Sequence, residues 1–172
     1  MGHTGHKEKI KTLSQLVKIT DRLKKQGKRI ILCTGVFDFL HIGHINYLQE
    51  AKKLGDVIVV SIVDDKFVKK GPNKPIFKQN IRMAWLAALE EVDYVILNGG
   101  PGPHEAMRKI KPNFYAKGES DKKNLTDPKS GIAKDKKTMD SIGKLVFTKE
   151  LPVHSGDIFK KIYEIYKKNY EN

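Results

Sequence analysis

Residues 29–44 read Arg29-Ile30-Ile31-Leu32-Cys33-Thr34-Gly35-Val36-Phe37-Asp38-Phe39-Leu40-His41-Ile42-Gly43-His44. The unbroken apolar run Ile30 to Cys33 is that of a strand buried on both faces, as in a parallel sheet. Cys33 fits such a run as a small core residue. The run breaks at Gly35. Two histidines then stand three residues apart where a helix begins. Gly43 lets a ligand approach the backbone. A helix N-terminus offers free N–H groups and the positive end of its dipole, which suits phosphate. Two imidazoles there add donors aimed at the same anion.

Outward from this stretch, strands and helices alternate. Apolar residues Leu13, Leu16, Val17, Thr20 and Leu23 predict a helix over 12–26, closed by Gly27. Further helices are expected over 44–54, 79–90, 103–110 and 134–142, and a last one from Ser155. Strands are expected over 29–34, 56–63, 94–97, 113–116 and 144–148, with a polar loop over 118–131. In the last helix, Phe159, Tyr163 and Tyr166 are expected to pack on the core, and Lys160, Lys161, Lys167 and Lys168 to form its solvated face. The alternation predicts an α/β fold. A parallel sheet of five strands with helices on both faces is expected, and the Rossmann-like order 3-2-1-4-5 is what the family resemblance set out below implies. Sites in such sheets lie at the carboxyl ends of the strands.

The 172 residues suit one domain over 12–172 with its own N-terminal helix, preceded by a flexible tail over 1–11. His3 and His6 in the tail have no third ligand nearby and are not expected to hold metal. A single cysteine excludes a disulfide framework and a cysteine-rich zinc site. No apolar run reaches the ~18 residues of a membrane span. The N-terminus lacks the apolar core of a secretion signal, so the expected location is the cytoplasm and no membrane partner is expected. Thirty-three Lys and Arg against twenty Asp and Glu give +13. That balance fits an anionic partner or a Lys-rich solvated surface. Basic residues are not interleaved with aromatics expected at the surface, and no RNA-binding motif is present, so nucleic acid is not the expected partner.

The pattern Gly35-x-Phe37-Asp38-x-x-His41-x-Gly43-His44 resembles the nucleotidyltransferase superfamily of cytidylyltransferases and adenylyltransferases. Class I aminoacyl-tRNA synthetases share His-Ile-Gly-His, but this chain has no Lys-Met-Ser-Lys-Ser segment. The similarity continues through residues 46–56, Lys69, Gly71-Pro72, Arg82, residues 86–95, Ile110-Lys111-Pro112 and Ala116-Lys117-Gly118. It is nearest to the nucleotidyltransferase domain of bacterial heptose-phosphate enzymes of the ADP-heptose synthase type. It spans roughly residues 12–168.

The resemblance implies transfer of CMP or AMP from CTP or ATP to a phosphorylated sugar or polyol. Pyrophosphate is released, and the product serves surface polysaccharide synthesis. It implies His41, His44, Lys69 and Arg82 as catalytic residues. The two histidines, held protonated beside the phosphates, would hydrogen-bond the triphosphate, and Lys69, Lys70 and Arg82 would contact phosphate from a basic lid over 66–82. Nucleotide-binding residues would be Thr34, Gly35, Val36, Phe37, Asp38, Gly43, Lys70, Lys117, Gly118, Asp121 and Ser155, with Asp38 chiefly pinning the turn. Mg²⁺ would come with the triphosphate, without protein metal ligands. A homodimer and a separate sugar kinase are implied as partners. The chain departs from many relatives of this type at two places. Lys117-Gly118-Glu119-Ser120-Asp121 replaces Gly-x-Asp-Tyr, and His154-Ser155-Gly156-Asp157 replaces a Ser/Thr-rich turn. His104 and His154 are expected at the surface or a helix start. Alternatives are an acceptor such as FMN or phosphocholine, or a nucleotide- or RNA-binding module without catalysis.

Overall fold

Two hydrophobic layers sandwich one sheet, and the strand sequences assign a residue to each in turn. The computed structural model describes residues 6–170. Met1 to Gly5, and with them His3, lie outside the described residues. The strands are β1 (Ile30–Gly35), β2 (Val57–Ile62), β3 (Tyr94–Leu97), β4 (Phe114–Gly118) and β5 (Lys144–Thr148). All pair parallel, in the order β3-β2-β1-β4-β5. This is the expected order, with its switch point between β1 and β4.

The helices are α1 (Leu13–Lys25), α2 (Ile42–Lys52), α3 (Gln79–Ala87), α4 (His104–Ile110), α5 (Gly131–Met139) and α6 (Ser155–Tyr170). Along β1, Ile31 and Cys33 join a core with Leu48 and Ala51 of α2 and Leu86 and Ala87 of α3. Ile30 and Leu32 join the opposite core with Leu16 of α1, Met107 and Ile110 of α4, and Ile132 and Met139 of α5. Period-two alternation with both faces covered is what makes the strand read as a continuous apolar run. Cys33 is fully buried, and burial pushes its thiol up to about 12.

Several boundaries differ from the sequence reading: α5, expected over 134–142, runs from Gly131 to Met139, and α3, expected to reach residue 90, ends at Ala87. Ile10 bridges to Val95 at the edge of β3, and Lys9 Nζ donates to Leu89 O at 2.8 Å. The tail therefore docks before Lys11. Thr12 then caps α1 in a reciprocal box with Gln15. The loop after β4 contains a 3₁₀ turn, Glu119–Asn124.

The larger difference is α6. Phe159 is half-buried and meets Phe39 at 5.4 Å between ring centroids. Tyr163 and Tyr166, expected in the core, are 58% and 53% exposed, and Ile162 and Ile165 are exposed beside them. The helix leaves the sheet after its first turns and carries its apolar stripe into solvent. Its tyrosines therefore stand at the surface among lysines, an interleaving the sequence reading did not find. No helix among the described residues is long and apolar enough to cross a membrane.

Candidate active site

The loop from β1 into α2 is built around two exceptions. Phe37 has φ +49°, a left-handed conformation rare for a bulky residue. Its ring lies against Gly35, where an added Cβ would come within 2.8 Å of it. The chain turns back under itself here, and the site rests on that fold. Asp38, nearly buried, accepts from Phe77 N at 3.0 Å and lies 3.7 Å from Lys74 Nζ. It pins the turn and does not line the cleft.

Helix α2 starts two residues earlier than expected because His41 is its N-cap. His41 Nδ1 accepts from Gly43 N at 3.2 Å. An accepting Nδ1 leaves the neutral ring's proton on Nε2. The His41 and His44 rings lie 3.8 Å apart, and Phe37 backs His44 at 5.1 Å. His44 Nδ1 is buried with no hydrogen-bond partner. A Cβ on Gly43 would press to 3.0 Å from His41 and 3.1 Å from Val153 O.

These residues line a cavity of about 410 Å³ over the carboxyl ends of β1 and β4. Of the sequence-predicted set it gathers Thr34, Gly35, Val36, Phe37, His41, Gly43, His44, Lys70, Lys117, Gly118, Asp121 and Ser155. Asp121 pairs with Lys117 at 2.8 Å. Glu150, which sequence reasoning missed, lies over Gly118 and accepts from Ser120 N at 2.9 Å. His154, expected at a helix start, also lines the cavity. Both follow β5, so the rule that sites gather at strand carboxyl ends could have found them.

Two residues expected to contact phosphate, Arg82 and Lys69, do not line the cavity. Arg82 is fully buried. Its Nε donates to Phe77 O at 3.0 Å, its Nη1 to Val36 O, and its Nη2 to Val63 O at 2.8 Å and Asp65 Oδ1 at 2.7 Å. It ties the β1–α2 turn to both ends of the β2–α3 connection beneath the site. Lys69 is exposed and lies outside the cavity lining. Of the six cations in 66–82, Lys70 alone lines the cleft.

The histidines' own surroundings favour the neutral ring. Burial, then His41, then Lys70 push His44 down to about 4. Burial, then His154 and Lys70, lower His41. An arriving triphosphate reverses the sign of the local field. Nucleotide binding near pH 6.5 is therefore expected to take up protons. Calorimetric titration in buffers of different ionisation enthalpy reads that uptake, and His44→Ala should reduce it.

The unfolded chain holds a proton on His44 below about 6.5 that the folded chain refuses until about 4. Its contribution to stability is thus complete above pH 6.5. It is lost as pH falls through that window, by about 3 kcal/mol. Urea midpoints between pH 4 and 7 measure it.

Residues 32–159 match the cytidylyltransferase-like family. The chain belongs to that family. As a cytidylyltransferase-like chain it is of the nucleotidyltransferase class. It is 42% identical over 137 residues to bifunctional protein HldE of Nitratiruptor sp., covering 78% of this chain and 29% of that one. It is 35% identical over 151 residues to the bifunctional protein HldE of Sulfurimonas denitrificans, covering 87% and 31%. The chain thus spans under a third of the length of these relatives. A lipopolysaccharide core biosynthesis protein of Thermoplasma volcanium superposes with a TM-score of 0.59 at 33% identity, covering 73% of this chain and 99% of that one. Pantoate-beta-alanine ligase of Francisella tularensis shares the fold, with a TM-score of 0.61 at 22% identity, covering 92% and 78%.

Proposed function

We propose that the chain transfers CMP or AMP from CTP or ATP to the phosphate of a heptose-phosphate-like sugar or polyol, supplying a precursor of surface polysaccharide. The observation that carries this reading is the close His41–His44 pair at the N-terminus of α2, inside a cavity with Lys70, Lys117 and Ser155. The relatives named above support it, one of them by its assignment to lipopolysaccharide core biosynthesis.

The acceptor's phosphate oxygen is already an anion, so the reaction needs no general base. That oxygen attacks the nucleotide α-phosphorus. The bond from that phosphorus to the bridging oxygen breaks, and pyrophosphate leaves with the electron pair. Positioning and charge stabilisation supply the rate. His41 donates from Nε2, His44 gains a second donor on protonation, and the positive end of the α2 dipole faces the same charge. Mg²⁺ bound with the triphosphate would supply positive charge that offsets part of the phosphate charge. Among the described residues no group of three His, Cys, Asp or Glu could hold a metal by itself. Asp121, a carboxylate lining the cavity beside Lys117, would hold the hydrated ion through water.

The test is pyrophosphate release with CTP and with ATP against a panel of sugar 1-phosphates, polyol phosphates, FMN and phosphocholine. Release specific to one nucleotide and one sugar or polyol phosphate supports the reading. Release with FMN or phosphocholine alone overturns the acceptor class. Nucleotide binding without release from any pair overturns catalysis.

A cytoplasmic setting, a homodimer and a separate sugar kinase complete the proposal. The exposed Ile162, Tyr163, Ile165 and Tyr166 of α6 offer an apolar stripe a second copy would cover. Light scattering should give a dimer mass, and Tyr166→Glu a monomer. A monomeric wild-type chain would contradict that part.

A further inference from the structure

A second cavity, of about 540 Å³, opens beside the first and shares Thr34, Gly35, Val36, Lys70, Lys117 and Asp121 with it. The two are lobes of one cleft across the carboxyl edge of the sheet. The histidine pair, Gly43 and Ser155 belong to the first lobe alone. The second lobe reaches instead toward Asn98 at the end of β3, His104 at the start of α4, and Lys134 and Asp135 of α5.

Asp135 has no use in the chemistry described so far. It is 6% exposed, yet it borders the second lobe. Its Oδ2 accepts from the Tyr115 hydroxyl at 2.8 Å, and Tyr115 is fully buried in β4. Its Oδ1 lies 3.7 Å from His104 Nε2, beyond hydrogen-bond distance. The His104 ring is fixed through Nδ1, 3.0 Å from Thr138 Oγ1. Asn98 is 2% exposed and is held by the Ser61 hydroxyl at 3.2 Å. A carboxylate can accept about four hydrogen bonds. Burying one with most of that capacity unused is costly, unless the free oxygen serves a ligand. Burial raises the pKa of Asp135, against the Tyr115 hydrogen bond and the nearby Lys117 and His104.

In-line transfer dictates where the acceptor lies. The attacking oxygen and the departing pyrophosphate occupy opposite sides of the α-phosphorus. With the triphosphate on the histidines in the first lobe, the acceptor enters from across the shared wall. Lys70 and Lys117 border both lobes and can take its phosphate there. The rest of the acceptor then extends toward Asp135, His104 and Asn98. We propose that the second lobe is the acceptor subsite, and that Asp135, with His104 beside it, selects acceptors carrying a hydroxyl donor on the chain beyond the phosphate. The inference rests on the transfer reading and adds which residues read the acceptor.

The test uses the sugar 1-phosphate that the wild-type chain turns over fastest, with methyl phosphate as an acceptor lacking hydroxyls. Wild type, Asp135→Asn and His104→Gln are compared. His104→Gln changes a half-exposed side chain and keeps the experiment decisive if Asp135→Asn folds poorly. A buried group built to meet a hydroxyl discriminates strongly when it is altered. Asp135→Asn should raise the KM for the sugar phosphate at least tenfold, and His104→Gln severalfold. The KM for the nucleotide should stay within twofold, and the slow reaction with methyl phosphate should not change. An unchanged sugar-phosphate KM in both variants overturns the subsite while leaving the transferase intact. So does an equal loss with methyl phosphate, or a shift in nucleotide KM alone. A wild-type chain that binds nucleotide and releases no pyrophosphate with any sugar phosphate overturns the transfer reading, and this inference with it.

Discussion

Replacing Arg82 by Met should lower the thermal midpoint by about 10 °C or more and loosen the nucleotide site only as a consequence. The guanidinium is fully buried and satisfies Val36 O, Phe77 O, Val63 O and Asp65 at once. Methionine fills much of the volume but leaves three carbonyls and a carboxylate without their donor. Breaking one side of a buried, hydrogen-bonded ion pair costs about 3–5 kcal/mol. In a domain of this size each kcal/mol moves the midpoint by roughly 2–4 °C. Arg82→Lys should be nearly as damaging, because a single ammonium cannot span four acceptors in a plane. Circular dichroism melts decide between this account and a phosphate-contact role. If Arg82 served the triphosphate, Arg82→Met would melt like wild type and lose only nucleotide affinity. Lys69→Met, at an exposed position, should leave the melt unchanged.

His44→Ala should show the opposite pattern, with activity down about 10³-fold and the fold kept. Removing one preorganised donor from a developing oxyanion typically costs 10²–10³ in turnover. Here the loss also removes the ring whose centroid lies 3.8 Å from that of His41. The stability effect is small because two contributions oppose. The deletion opens a small cavity, but it also removes a buried Nδ1 that has no partner. Rates and melts measured on the same preparation separate the two variants. Arg82→Met fails by unfolding, His44→Ala by chemistry.

The strands of the parallel sheet and the phosphate-facing loop could be read from the sequence because they depend on local patterns. Ile30 to Cys33 and Val57 to Val60 are runs that only a strand covered on both faces can bury. Gly35, Gly43 and the two histidines sit at the one turn where such a strand meets a helix. The burial of Arg82 was not anticipated because the family resemblance set it among the phosphate contacts of a basic lid. A signal was present, since Arg82 and Leu86 lie four apart on the buried face of α3. The outward course of α6 was not legible. Its 3.6-residue pattern gives an apolar face but not what covers it. The approach of His104 to Asp135 joins residues from two helices, and no local pattern records it.

The central claim is that the nucleotide's α-phosphoryl group, with its nucleoside, moves to a phosphate acceptor. The most direct measurement follows label from α-³²P and γ-³²P nucleotide in parallel, with the sugar phosphate and Mg²⁺ present. The account predicts α label in a new sugar nucleotide and γ label in pyrophosphate, both abolished in His44→Ala. Gamma label on the acceptor would mean phosphoryl transfer instead, and γ label released only as inorganic phosphate would mean hydrolysis. Either result would contradict the account.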